Sequence, residues 1–437
     1  MKNNTSNSKP AVIEKKYLVP FILITSLFAL WGFANDITNP MVAAFQTIME
    51  IPVSEAALVQ FAFYGGYGTM AIPAALFVRR FSYKKGILLG LALYAIGAFL
   101  FIPAAQYEQF TFFLLSLYIL TFGLAFLETT ANPYIISMGD EATSTRRLNF
   151  SQSFNPMGSL LGMFVASNYV LTSLDSEKRN VAGDLIFPML SEAEKATIRT
   201  HDLGIIRNPY VIIGMVVLLV FIIIAFTKMP KTQSAEAKNI KTKDSFKRLA
   251  KNHNYREGVL AQFFYVAAQI MVWTFIIQYA ENLGIPKAVG QRWNILAMIL
   301  FLSSRFISTY LMKYLKPSVM LTTFAVGAMT TILGVIFIGG MIGLYCLVAT
   351  SIFMSLMFPT IYGIALKGLG DDSTLGAAGL VMAIVGGALM PPLQGAIIDL
   401  GTVAWLPAVN ASFILPFICF VVICIYGIRT NKRRIMG

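Results

Sequence analysis

The chain has 437 residues, 57% of them apolar and 13% charged, with a mean hydropathy of +0.68; this exceeds what a soluble core needs and excludes an ordinary globular domain or a disordered chain. A net charge of +13 invites a nucleic-acid partner, but the basic residues fall in alternate loops rather than in one patch, a pattern of membrane orientation that leaves no role for nucleic acid. Cys346, Cys419 and Cys424 all lie within apolar runs without metal-ligand spacing and read as packing residues.

Apolar runs of about 20 residues, each able to cross a hydrocarbon layer about 30 Å thick as a helix, recur along the chain twelve times. The first begins near Leu18 and has no small-residue cleavage site, so it is expected to be retained as a span. Lys2, Lys9, Lys15 and Lys16 precede it; Arg79, Arg80, Lys84 and Lys85 follow span 2, and Arg146 and Arg147 follow span 4. Residues 228–256 are strongly basic, Lys313 and Lys316 follow span 8, Lys367 follows span 10, and residues 429–434 close the chain. The intervening loops near 50–55 and 106–109 carry no lysine or arginine, while Lys287 and Arg292 depart from the pattern. Both termini and the central linker are therefore expected on the cytoplasmic side, with basic residues against anionic lipid headgroups.

The expected organisation is a tail (1–17), a six-helix half (18–228), a linker (229–256), a second six-helix half (257–428) and a tail (429–437). That is an all-α integral membrane protein of twelve transmembrane helices in two halves, the major facilitator plan, with substrate near the midplane between parallel repeats. Within a longer outer loop, 173–207, "LSEAEKATIRTHDL" reads as a surface helix, and His201 and His253 fall in polar connections where solvated histidines are expected.

Among the carboxylates, Asp36 in "LWGFANDITNP" and Glu128 in "FLETTANPY" lie deep within spans. An ionised carboxylate in the hydrocarbon costs at least about 2.5 to 3.5 kcal/mol, so such a group is expected to face a polar cavity and to have a function. Asn39 follows Asp36 by three residues and Asn132 follows Glu128 by four, so each amide shares a helix face with its acid; Asn35 and Thr129 are the adjacent donors. No lysine or arginine occupies either span's interior, and without a cation burial disfavours the charged form, which suits an acid to carrying a proton. Pro40 and Pro133 follow the two acids by four and five residues and allow a bend close to each. Proton coupling is therefore expected at Glu128 and Asp36, with Asp36 also binding substrate.

The remaining lining residues expected are uncharged: Gln152 and Asn155 in "NFSQSFNPMG", Gln262, Tyr265, Gln269, Trp273 and Gln278 in span 7, and Tyr362. Amides match hydroxyl groups as donors and as acceptors, and aromatic rings offer flat apolar faces to the C–H face of a pyranose. Gln262, Tyr265 and Gln269 recur at seven and four residues, so one helix face could carry all three. Polar residues that merely bond across helices are the plainer reading of one or two of them.

These segments resemble the fucose:proton symporter family of the major facilitator superfamily over nearly the whole chain. The resemblance rests on "AFYGGYGTMAIPA" and "RRFSYKKG" around span 2, "LETTANPYI" in span 4, "QSFN" in span 5, "LAQFFYVAAQ" in span 7 and "FPTIYGIALKGLG" at span 10. It implies import of a monosaccharide, L-fucose first, by a bacterial inner-membrane carrier, with Glu128 as proton-coupling group and a span 1 acid in substrate binding. The family's span 1 acid follows the tryptophan by eight residues, whereas Asp36 follows Trp31 by five. Matching D-I-x-x-P selects Asp36 and ungapped alignment selects Asn39; three residues rotate a helix by about 300°, so the two lie near one face, about 4.5 Å apart along the axis.

Arg305 in "FLSSRFIST" lies toward the basic end of span 8, where a gating contact with Asp371 or Asp372 is expected, and Arg79 to Gly86 resembles the superfamily's loop between spans 2 and 3, with Arg79 in a loose gating role. The expected mechanism is alternating access by a monomer with a monosaccharide, protons and membrane lipid as partners and no cofactor or metal. An uncoupled hexose uniporter, a symporter for glucose, galactose or an N-acetylhexosamine, and a cationic-drug exporter are the alternatives within the fold. A membrane enzyme or sensor would need a nucleophile, a metal cluster or an output domain.

Overall fold

The computed structural model describes residues 13, 15–38, 41–51, 55, 58–178, 180, 185–229, 242–285, 287–398 and 400–436. Asn39 and Pro40 lie outside these residues. The chain is helical almost throughout, and among the described residues eleven helical stretches are long and apolar enough to cross a membrane. They are span 1 (Leu18–Thr38), span 2 (Leu58–Arg80), span 3 (Tyr83–Tyr107), span 4 (Phe110–Ile136), span 6 (Glu192–Phe226), span 7 (His253–Asn282), span 8 (Lys287–Leu311), span 9 (Pro317–Phe337), span 10 (Gly340–Leu366), span 11 (Gly370–Ile398) and span 12 (Ala408–Lys432).

The twelfth crossing, span 5, is assembled from Ser144–Gln152, Phe154–Val165 and a wide turn at Ala166–Val170. Pro156 accounts for the first break, since a proline has no N–H for the carbonyl four residues earlier, here Gln152, and its ring clashes with it. Span 10 is interrupted in the same manner between Gly340–Met354 and Met357–Leu366, with Pro359 four residues after Ser355.

The surface helix expected in the outer loop is not a separate element. It continues into span 6 as one helix of 35 residues, about 52 Å at 1.5 Å per residue, well beyond a hydrocarbon layer of about 30 Å. Ser191 and Glu194 form a capping box at its start. Its outer turns are tied down by Lys195 at 2.8 Å from Glu50 and by the buried carboxylate of Asp202, which accepts the backbone N–H groups of Asp175 and Ser176 at 3.0 and 2.8 Å. His201 rides on this helix with Nδ1 3.1 Å from Asp202, and His253 begins span 7.

Helix pairing repeats between the halves. Spans 1 and 5, 2 and 4, 3 and 4, and 3 and 6 pack in the first; 7 and 11, 8 and 10, 9 and 10, and 9 and 12 pack in the second. The same contacts displaced by six spans are what parallel repeats produce. Glycines permit a close crossing of spans 1 and 5: a Cβ on Gly32 would lie 2.0 Å from the Asn155 carbonyl oxygen, and one on Gly158 1.8 Å from that of Ala29. Large apolar side chains such as Ile212, Leu219 and Phe226 on span 6 are exposed on the bundle's outside, as lipid contact requires.

The loops rich in lysine and arginine gather at one end, the basic face. Two of these cations cap helix ends rather than reaching for headgroups: Lys84 Nζ donates to the carbonyls of Ala225 and Thr227 at 2.8 and 2.9 Å, and the buried Arg147 donates through Nε to Ile135 at 2.7 Å. Cations at helix C-termini satisfy otherwise orphaned carbonyls and complement the dipole. On this same side the halves are bonded to each other, through Tyr83 and Thr374 (3.0 Å) and through Asn149 and Thr360 (3.2 Å), and Gly363 lets span 10 rest on Thr145.

Candidate functional site

A cleft of about 110 Å³ lies between the halves, lined by spans 1, 2, 4 and 5 on one wall and by spans 7, 8, 10 and 11 on the other. The first wall carries Asn35, Asp36, Tyr64, Tyr67, Glu128, Gln152 and Asn155; the second carries Gln269, Trp273, Phe301, Arg305 and Phe358. Both spans' acids thus reach one cavity. Asp36 and Glu128 are each only 6% exposed, so what exposure they have is to the cleft rather than to bulk solvent. Among the described residues, ion pairs lie at the molecule's two faces, Glu50 with Lys195 and Arg199, Asp372 with Arg248, and Glu257 with Arg429 among them.

Local structure explains the placement. Asn35 donates to Asp36 at 3.5 Å, so the adjacent amide steadies the acid. The close crossing at Gly32 brings Asn155 against span 1, where its amide donates to the Phe28 carbonyl at 3.3 Å. At the helix break, Gln152 donates to the Asn132 side chain at 2.9 Å, and Asn132 donates to the Glu128 carbonyl at 2.9 Å. Glu128 therefore stands on a continuous amide network that joins spans 4 and 5. Across the cleft, Trp273 donates to Ser351 at 3.2 Å and its ring meets Phe301 at 5.0 Å, which fixes a flat aromatic surface.

Seven of the residues expected at the site line the cleft: Asn35, Asp36, Glu128, Gln152, Asn155, Gln269 and Trp273. Four others sit beneath it. Asn132 is fully buried one turn below Glu128, and Tyr362 is buried one turn below Phe358. Tyr265 is spent on the Met354 carbonyl, at 3.1 Å, and Gln262 is buried two turns nearer the basic face than Gln269. On span 7 the lining runs from Val266 through Gln269 and Ile270 to Trp273. Gln278 is exposed and outside the lining.

Arg305 corrects its expected contact. It lines the cleft floor and donates to the main-chain carbonyls of Gln152, at 2.9 Å, and Ser355, while Asp372 is taken in a bidentate pair by Arg248 of the linker helix Thr242–Lys251, with both N–O distances 2.7 Å. Arg79 lies at the basic face within electrostatic range of Asp372. Sequence reasoning missed Tyr64 and Tyr67 of span 2, which line the cleft; their spacing of three residues among glycines was the available signal.

Known proteins give the arrangement a context. A sequence profile of the Major Facilitator Superfamily matches residues 22–388. An L-fucose-proton symporter of Haemophilus influenzae is 73% identical over 421 residues, which are 96% of this chain and 98% of that protein. A solved structure of the Escherichia coli fucose:proton symporter superposes with a TM-score of 0.86 at 34% identity, covering 95% of this chain and 99% of that one. A second solved transporter, described as in the outward conformation, gives the same score, identity and coverage. With the profile spanning most of the sequence, a fold of repeated six-helix halves and a cleft between them, the chain belongs to the major facilitator superfamily.

Proposed function

We propose that this protein imports L-fucose together with protons by alternating access. The observation that carries the reading is the cleft itself, where two buried acids and three amides on one wall face a fixed aromatic surface on the other. The similarity to the Haemophilus influenzae symporter favours L-fucose among monosaccharides. Glu128 carries the proton, and the bonds from Gln152 to Asn132 and from Asn132 to the Glu128 main-chain carbonyl fix the backbone that presents it to the cleft. Asp36, Asn35, Gln152, Asn155 and Gln269 bond the sugar hydroxyls, while Trp273 packs on its apolar face.

The basic face is the cytoplasmic one by the positive-inside rule, so both termini and the linker lie in the cytoplasm of a bacterial inner membrane. With the halves bonded to each other on that side, the cleft serves the outer face. Sugar and proton enter from outside, the halves rock, and the sugar leaves inward before the proton leaves Glu128 for cytoplasmic water. The protein works as a monomer and needs no cofactor.

Uptake of radiolabelled L-fucose, D-glucose, D-galactose and N-acetylglucosamine into vesicles, with and without an imposed inward proton gradient, tests the reading. L-Fucose accumulating only with the gradient is expected. Equal uptake with and without it would make the protein a uniporter, and transport of another sugar in preference would overturn the substrate.

A further inference from the structure

At the floor of the cleft sits a cation for which the transport steps above have no use. Arg305, 3% exposed, stacks on Phe301 at 4.6 Å and its hydrogen bonds reach both halves. Its Nη1 donates to the Gln152 carbonyl of the first half and its Nε to the Ser355 carbonyl of the second.

The two acceptors have a common origin. In an unbroken helix the carbonyl of residue i takes the N–H of residue i+4. Four residues after Gln152 is Pro156, and four after Ser355 is Pro359; neither has an N–H to give. Each proline thus frees one carbonyl at the cleft floor, one per half, and a single planar guanidinium, with several donors in a rigid fork, satisfies both.

We propose that Arg305 is a positioning residue that fastens the two proline-broken helices, spans 5 and 10, to each other, holding the amide-bearing floor of the cleft in place and the cytoplasmic side shut. The inference rests on the alternating-access reading but not on the identity of the sugar. The Gln152 amide lines the cleft and bonds Asn132, so a span 5 break held in place by its backbone carbonyl keeps that amide aimed at the sugar. When the halves part on the cytoplasmic side, the bond from Arg305 to Gln152 has to break because it crosses between them. Water entering from the cytoplasm then solvates both the carbonyl and the guanidinium. The latch is therefore strong while the floor is dry and weak once it is wet. Asn149 with Thr360 and Tyr83 with Thr374 add side-chain bonds nearer the cytoplasm, but neither pair touches the cleft.

The test is a spin-label distance between positions 85 and 367, occupied by exposed lysines at the cytoplasmic ends of spans 3 and 10, with Cys346, Cys419 and Cys424 replaced by alanine and the full chain in lipid vesicles without sugar. Arg305→Lys keeps the charge and loses the fork. It is expected to raise the long-distance, cytoplasm-open population at least fivefold and to weaken outside binding of L-fucose by a similar factor, as loss of the competent state requires. Pro156→Ala, which returns an N–H to Gln152 while leaving Arg305 intact, is expected to shift the distances in the same direction. The double variant is expected to go no further than the larger single effect.

Unchanged distances in both single variants, or shifts that add in the double variant, would overturn the latch. If Arg305 variants do not insert, Pro156→Ala and Pro359→Ala carry the same test with the arginine present. Distances that respond in a protein unable to move L-fucose would leave the latch standing and remove the substrate reading; distances that do not respond in a protein that transports it would do the opposite.

Discussion

The two walls of the cleft divide the chemistry unequally. The first-half wall brings both buried acids and most of the amides, held by an unbroken set of bonds from Gln152 through Asn132 to the Glu128 backbone. The second-half wall brings aromatic rings, Gln269 and one arginine, and its polar atoms are largely turned away from the cleft, Tyr265 to Met354 and the Trp273 N–H to Ser351. The repeats share a packing plan but not a chemical one. On the function proposed above, protonation falls to one half, and the other offers an aromatic surface. A carrier so divided can change the charge of one wall without disturbing the packing of the other.

The largest effect is expected where that division is broken outright. Glu128→Gln removes the titratable group, keeps the side chain's size and leaves the bond from Asn132 to the main-chain carbonyl in place, so proton-driven accumulation of L-fucose should vanish while exchange of labelled for unlabelled sugar persists. Accumulation at the wild-type level in energised vesicles would mean the proton is carried elsewhere.

Asp36→Asn sharpens the comparison on the same wall. Calorimetry should find L-fucose binding at least tenfold weaker, since a carboxylate accepting from sugar hydroxyls is replaced by a neutral amide; wild-type affinity would leave Asp36 a bystander. Geometry instead of charge is the target of Gly32→Ala. The new Cβ meets the Asn155 carbonyl at 2.0 Å, so spans 1 and 5 must separate, at a cost of about 1–3 kcal/mol, and thermal denaturation in detergent should show a fall of several degrees.

On the second wall, Trp273→Phe keeps an aromatic face and loses the bond to Ser351, worth about 1 kcal/mol. Binding titrations should register a loss of fivefold or less, and a larger one would move the recognition chemistry across the cleft. Least of all is expected far from both walls. At the outer loop, the hydrogen bond from Lys178 holds the Asp175 carboxyl below its ordinary range. The contribution is present above the unfolded value and lost as pH falls through the folded one. With these side chains 35% and 68% exposed, solvent screening leaves it under about 1 kcal/mol, so Asp175→Asn should barely alter melting at pH 7.

Much of this could be read from the amino acids alone, and what could not was hidden for separate reasons. Apolar runs located the crossings, and the rarity of carboxylates in them singled out Asp36 and Glu128. Helical periodicity placed Gln262, Tyr265 and Gln269 on one face, but periodicity reports rotation around a helix and says nothing of where along it a cavity ends. Gln262, Asn132 and Tyr362 fall about a turn below the lining residues Val266, Glu128 and Phe358, and Tyr265, next to Val266, is spent on the Met354 carbonyl. The fate of Arg305 was hidden for a different reason. Its acceptors are main-chain carbonyls, which carry no residue-type signal, and only the prolines four residues further along mark them. Span 5 was legible as an apolar run though not as a broken helix, and the 35-residue helix of span 6 read as two elements because its charged outer turns lie beyond the membrane.

The most direct measurement of the central claim is the pH of a lightly buffered suspension of de-energised cells or vesicles when L-fucose is added. The account predicts prompt alkalinisation of the medium with the wild-type protein and none with Glu128→Gln. Uptake of the sugar by the wild-type protein without any change in pH would contradict it.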